Sequence, residues 1–130
     1  MGTLKNKRGN LTLVRASVLE ITKVGDVSSS KNPHGVDARQ IYSHPNAQVI
    51  VLTLKPGESL KRHITPVDVF FYVLEGKGVV EVGDEKKEVS KDTIIHSPAK
   101  IVHCWHNKSD SILKVMVAKT PKPTESTILI

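Results

Sequence analysis

The chain has 130 residues, with a hydrophobic fraction of 38% and a charged fraction of 25%, which suits one globular domain and leaves no room for a second core. Nineteen Lys and Arg against thirteen Asp and Glu give a formal charge of +6, but the basic residues run from Lys5 to Lys122 with acids between them. That spread reads as a solvated surface and argues against a nucleic-acid binder, which concentrates its charge on one face.

No apolar run approaches the roughly 20 residues of a membrane helix, so no membrane partner is expected. Cys104 is the only cysteine, so an intrachain disulfide is excluded. The first ten residues, MGTLKNKRGN, lack the apolar stretch of a secretory signal, and a cytoplasmic location is the resulting expectation. Val, Ile and Leu dominate the apolar set while aromatics are scarce, a bias that favours strands over helices.

Residues 1–10 read as a flexible basic arm, 11–120 as a single domain and 121–130 as an extended tail. LTLVRASVLEI (11–21) alternates as a first strand. VGDVSSSKNPHG (24–35) is a loop, rich in Gly, Ser, Asn and Pro. VDARQIY (36–42) and AQVIVLTL (47–54) read as strands, the second stopped by Lys55-Pro56-Gly57. VFFYVLEG (69–76) is a strand, Gly76-Lys77-Gly78 reads as a hairpin turn, and VVEV (79–82) returns. Gly83-Asp84 marks a further hairpin into KEV (87–89). TIIHSP (93–98), IVHCWH (101–106) and ILKVMVA (112–118) complete the series. Many short strands with Gly and Pro punctuation indicate an all-β sandwich or barrel.

Two stretches carry a family resemblance. GESLKRHITPVDVFFYVLEG, from Gly57 to Gly76, follows the pattern GxxxxxHxHxxxExxxxxxG at Gly57, His63 and Gly76. Thr65 stands at the second histidine position and Val69 at the glutamate. DTIIHSPAKIVHCWHN, from Asp92 to Asn107, follows GxxxxxPxGxxHxxxN at Pro98, His103 and Asn107, with Asp92 and Lys100 at the two glycine positions. These motifs resemble those of the cupin family. The resemblance implies a double-stranded β-helix, the cupin jelly-roll barrel, and a homodimer as the common assembly.

In that family two histidines, a glutamate and a third histidine hold a divalent metal inside the barrel. Carried over residue by residue, only His63 and His103 remain as metal ligands. Two imidazoles with water suit Zn²⁺, Ni²⁺ or Cu²⁺ better than Fe²⁺ or Mn²⁺. Alternation places His63 and Thr65 on one strand face, Val69, Phe71 and Val73 on another, and His103 with Trp105 on a third. Thr65, Val69, Phe71 and Trp105 are therefore the expected wall of a ligand pocket.

The two histidines can be metal ligands, polar anchors for an organic ligand, or members of a relic pocket that hydrogen-bond only to neighbours or water; a filled core with no pocket is the competing reading. His106 is expected on the face opposite His103, and His96 cannot be assigned a face because Pro98 interrupts the count. His34 and His44 read as solvated, and Asp68 as pointing away from the pocket. Cys104 and His103 are strand neighbours and face opposite ways, so they do not form a nucleophilic pair. No paired carboxylates and no phosphate loop are present.

Three functions stay open: a binding module for a small organic ligand, anionic or neutral, with or without a weakly held metal; a metal-dependent enzyme of dioxygenase or isomerase type acting on a small organic or sugar-like substrate; and a scaffold or interaction protein.

Overall fold

The computed structural model describes residues 2–14 and 18–130. A short hairpin comes first, β1 (Gly2–Lys5) against β2 (Leu11–Val14), as a two-stranded sheet of its own. The strand expected over 11–21 is therefore shorter: residues 15–17 lie outside the described residues, and Val18, Leu19 and Ile21 are exposed and belong to no strand.

The following segment is a loop with one 3₁₀ turn, Val24–Asp26. After it come β3 (Asp37–His44), β4 (Ala47–Leu54), β5 (Ser59–Ile64), β6 (Asp68–Glu75), β7 (Lys77–Val82), β8 (Glu85–Ser90), β9 (Ile94–Ser97), β10 (Val102–His106), β11 (Leu113–Thr120) and β12 (Ile128–Leu129). No α-helix occurs among the described residues. Among the described residues, no helix is long and apolar enough to cross a membrane.

Two five-stranded antiparallel sheets form the body, in the orders β3-β4-β11-β6-β9 and β12-β5-β10-β7-β8. From β4 onward the chain changes sheet at almost every connection, β7–β8 being the one hairpin within a sheet. That winding is the expected double-stranded β-helix. Inward-facing residues of both sheets meet in one core, where Trp105, Phe71, Leu54, Leu113, Val73 and Val115 are all 1% exposed or less. Phe71 and Trp105 pack edge to face with centroids 5.5 Å apart, a geometry that adds about 0.5–1.5 kcal/mol to the area buried.

One expectation is corrected. Gly76-Lys77-Gly78 is not a hairpin turn, because β6 pairs with β11 and β9 while β7 pairs with β10 and β8. The turn is a corner between the sheets, and its glycines serve close packing. Gly76 has φ +76°, and a Cβ there would come within 2.2 Å of the Ile112 carbonyl oxygen. At Gly78 a Cβ would meet the Leu113 side chain at 2.5 Å. Within the extended tail, β12 pairs with β5 of its own chain, covering that edge.

Asn107 ties the end of β10 to its surroundings. Its Nδ2 donates to the carbonyls of Leu54 (2.9 Å) and Ser111 (2.8 Å), and its Oδ1 accepts from the Ser109 amide and hydroxyl. Its own amide donates to the Glu58 carbonyl, and its carbonyl accepts from the Gly57 amide, each at 2.9 Å.

The two motif positions that lack glycine keep a left-handed backbone, with φ +65° at Asp92 and +66° at Lys100. Aspartate tolerates this region, but a lysine there costs roughly 1–2 kcal/mol. Glycine removes that cost and adds back part of it as unfolded-chain entropy. We therefore expect Lys100→Gly to raise stability by about 0.5–1 kcal/mol and Lys100→Val to lower it, both read from urea denaturation midpoints.

Candidate functional site

Neighbouring strands β5 and β10 place His63 directly across from His103, and the two rings meet edge to face with centroids 4.3 Å apart. A β-bulge makes this pairing inward. Lys61 and Arg62 together oppose Cys104, so Leu60 and His63 are both buried although they lie three residues apart. Thr65 Oγ1 lies 3.2 Å from His103 Nε2, and Ser97 Oγ lies 2.6 Å from His103 Nδ1. Both ring nitrogens of His103 are thus engaged.

His63 Nδ1 donates to the Lys61 carbonyl at 2.6 Å, which leaves the neutral ring a lone pair on Nε2. His34, expected to be solvated, is instead half-buried and packs on His63 with centroids 4.8 Å apart. Lys61 N–H donates to His34 Nδ1 at 2.8 Å, so the neutral His34 ring carries its hydrogen on Nε2. Asn32 shapes the loop that brings it there, donating to the Val36 carbonyl at 2.8 Å and accepting from the His34 amide at 3.1 Å.

These groups border a cavity of about 200 Å³ inside the barrel, together with Thr65, Val69, Phe71, Val117, Lys119 and Thr127 of the tail. The structure therefore brings His63, His103, Thr65, Val69 and Phe71 to one space. Trp105 is not at the wall. Phe71 stands between it and the histidines, with its centroid 5.2 Å from His103 and 5.5 Å from Trp105, and Trp105 belongs to the filled part of the core. Its Nε1 is buried without a hydrogen-bond partner.

Sequence reasoning missed His34 and Lys119. The signal for Lys119 was present, since it continues the inward alternation of Val115 and Val117 on β11. A wider groove of about 660 Å³ lies beside β7, β8 and β9. Its charged residues Asp84, Glu85, Lys86 and Lys87 come from the β7–β8 hairpin and face solvent. Buried polar groups that converge favour the smaller cavity.

Burial dominates the electrostatics. It pushes His103 down to about 3 and His34 to about 4, and lowers His63, with neighbouring imidazoles and Lys119 adding to one or another of these shifts. All three rings are neutral at physiological pH. Burial also lowers the Lys119 amine, which has no carboxylate within ion-pair distance among the described residues.

The remaining candidates lie elsewhere. His96 and His44 are exposed, and Asp68 accepts from the Ala99 amide at 2.8 Å, away from the cavity.

As arranged, the cavity does not fit the divalent metal expected on His63 and His103. No carboxylate lines the space to offset the charge of a cation, and the Lys119 amine does line it. On the outer face of the same sheet, Glu81, Cys104 and His106 bring their side-chain ends together. Burial pushes the Cys104 thiol up to about 12, and its hydrogen bond to Glu81 adds to that.

Comparison with known proteins places the barrel. The cupin domain family matches over residues 50–119. The uncharacterized protein MJ1618 of Methanocaldococcus jannaschii is 34% identical over 62 residues, 48% of this chain. The match covers 49% of that relative, about half its length. The crystal structure of TT1209 from Thermus thermophilus superposes with a TM-score of 0.70 at 26% identity, over 81% of this chain and 100% of that one. The polyketide cyclase RemF of Streptomyces resistomycificus shares the fold, with a TM-score of 0.75 at 15% identity over 87% of this chain and 86% of that one.

The buried histidines make stability depend on pH. In the fold His34 and His103 stay neutral down to about 4 and about 3, whereas the unfolded chain protonates them near ~6.5. Between those limits the unfolded state binds more protons, so their contribution is complete above about pH 6.5 and is lost as pH falls toward the folded values. The urea midpoint is expected to decline steadily as pH falls from about 7 to about 4. His103→Gln should flatten that decline; an unchanged slope would contradict the assignment.

Proposed function

This chain belongs to the cupin family, and on that premise we propose that its barrel is a binding module for a small organic carboxylate. The observation that carries the reading is Lys119, a charged amine beside three neutral imidazoles in a partly apolar cavity. An ammonium removed from water and left without a counter-charge is costly, and an anionic ligand offsets that cost.

The hydrogen-bond directions support the same chemistry. His34 offers an Nε2–H donor to a carboxylate, and His63 Nε2 offers an acceptor to a hydroxyl or amide. The cavity holds the volume of about seven waters, a space for a ligand of fewer than about ten non-hydrogen atoms. Val69, Phe71 and Val117 supply the apolar contact that such sites use for affinity.

Acid–base catalysis is the weaker reading. The histidines are held below their ordinary range by burial, and a general base works best with a pKa near the operating pH. The other polar side chains that line the cavity are hydroxyls, the Asn32 carboxamide and one amine.

Calorimetric titration with lactate, malonate and succinate, each beside its neutral amide, tests the proposal. At least one acid is expected to bind more tightly than its amide, and Lys119→Met should weaken that binding at least about tenfold, about 1.4 kcal/mol. Equal binding of acid and amide, or no effect of Lys119→Met, would remove the anion-binding reading.

A further inference from the structure

Strand β10 is a wall with two working faces. His103 and Trp105 point into the barrel, while Cys104 and His106 point outward, where β7 contributes Glu81 directly opposite Cys104 and β5 contributes Ser59 opposite His106. The geometry points to a second site on this outer face, in which Cys104, His106 and Glu81 bind one zinc ion.

The three ligand atoms already converge. Cys104 Sγ lies 3.1 Å from Glu81 Oε2 and 3.5 Å from His106 Nε2, and that nitrogen lies 2.5 Å from Glu81 Oε2. Around a tetrahedral zinc with bonds of about 2.0–2.3 Å, ligand atoms stand roughly 3.3–3.6 Å apart. The thiol–imidazole edge has that length now. The other two edges open by less than ~1 Å to reach it, through a Glu81 side chain that is 23% exposed.

A thiolate, an imidazole and a carboxylate are a zinc donor set, and their two negative charges balance the cation. Ser59 Oγ lies 3.0 Å from His106 Nδ1, the outer hydrogen bond that orients a metal-binding histidine. On binding, the thiol releases its proton to solvent. The imidazole proton moves from Nε2 to Nδ1, where Ser59 Oγ accepts it, and Nε2 takes the metal. Three protein ligands leave the fourth position to water, the arrangement of an open rather than a closed zinc site.

Because Cys104 is the only cysteine, any thiolate–metal signal reports on this site alone. It is independent of ligand binding in the barrel. The experiment is a cobalt titration of the reduced protein followed by absorption, with zinc affinity then measured by chelator competition. Wild-type protein is expected to develop a thiolate-to-cobalt charge-transfer band at one equivalent and to lose it when zinc is added.

Cys104→Ser should abolish the band, Glu81→Gln should weaken zinc binding at least about tenfold, and Ser59→Ala should weaken it by about tenfold through loss of orientation. His63→Ala should leave both readouts unchanged, and circular dichroism confirms the fold of each variant. Absence of the band in folded wild-type protein overturns the proposal. So does stoichiometric zinc binding that survives Cys104→Ser and vanishes in His63→Ala, because the cation would then sit inside the barrel.

Discussion

Both the histidine pair of the cavity and the Glu81–Cys104–His106 group depend on the register of β10 between β5 and β7. Alternation along a strand has a period of two, so a slip of one residue would send Cys104 and His106 into the barrel and turn His103 and Trp105 out to solvent. Two features hold the register. The bulge at Lys61 and Arg62 resets the parity of β5 so that His63 meets His103, and Asn107 fastens the end of β10 through its side chain and both backbone groups. The cavity and the outer cluster are thus two consequences of one alignment.

At His63, burial and hydrogen bonding act in opposite senses, burial lowering the pKa and the Lys61 carbonyl raising it. Burial drives the imidazoles neutral, and the backbone of Lys61 then fixes which nitrogen carries the hydrogen in two of them, through its amide to His34 and its carbonyl to His63. One residue in the bulge therefore sets one ring as donor and the other as acceptor. Lys119 supplies charge that the imidazoles do not. The polar end of the interior meets an apolar end filled by Trp105, Leu54 and Leu113, so the barrel is neither empty nor wholly packed.

Much of the fold was legible in the sequence, because alternation and turn chemistry are local. The strand expected over 47–54 coincides with β4, and those expected near 69–76 and 101–106 match β6 and β10 within a residue or so. The corner at Gly76 was misread because a hairpin and a change of sheet both call for glycine, and only the distant partner strands distinguish them. Asp92 and Lys100 look like departures from the motif, yet each keeps the backbone that glycine would favour. His34 was hidden because its place depends on Asn32 organising a loop and on an amide donated from β5. Trp105 shares its strand face with His103 as expected, but nothing in that spacing reveals that Phe71 stands between it and the cavity.

The pairing of β12 with β5 has a practical side. Leu129 lies opposite His63, the Ile130 amide donates to the Arg62 carbonyl at 3.0 Å, and Thr127 borders the cavity. Anything fused after Ile130 therefore begins within a few residues of the proposed ligand site. A polyhistidine affinity handle placed there would bring mobile imidazoles close to both the cavity and β5, whereas the same handle ahead of Gly2 would join a hairpin that belongs to neither barrel sheet.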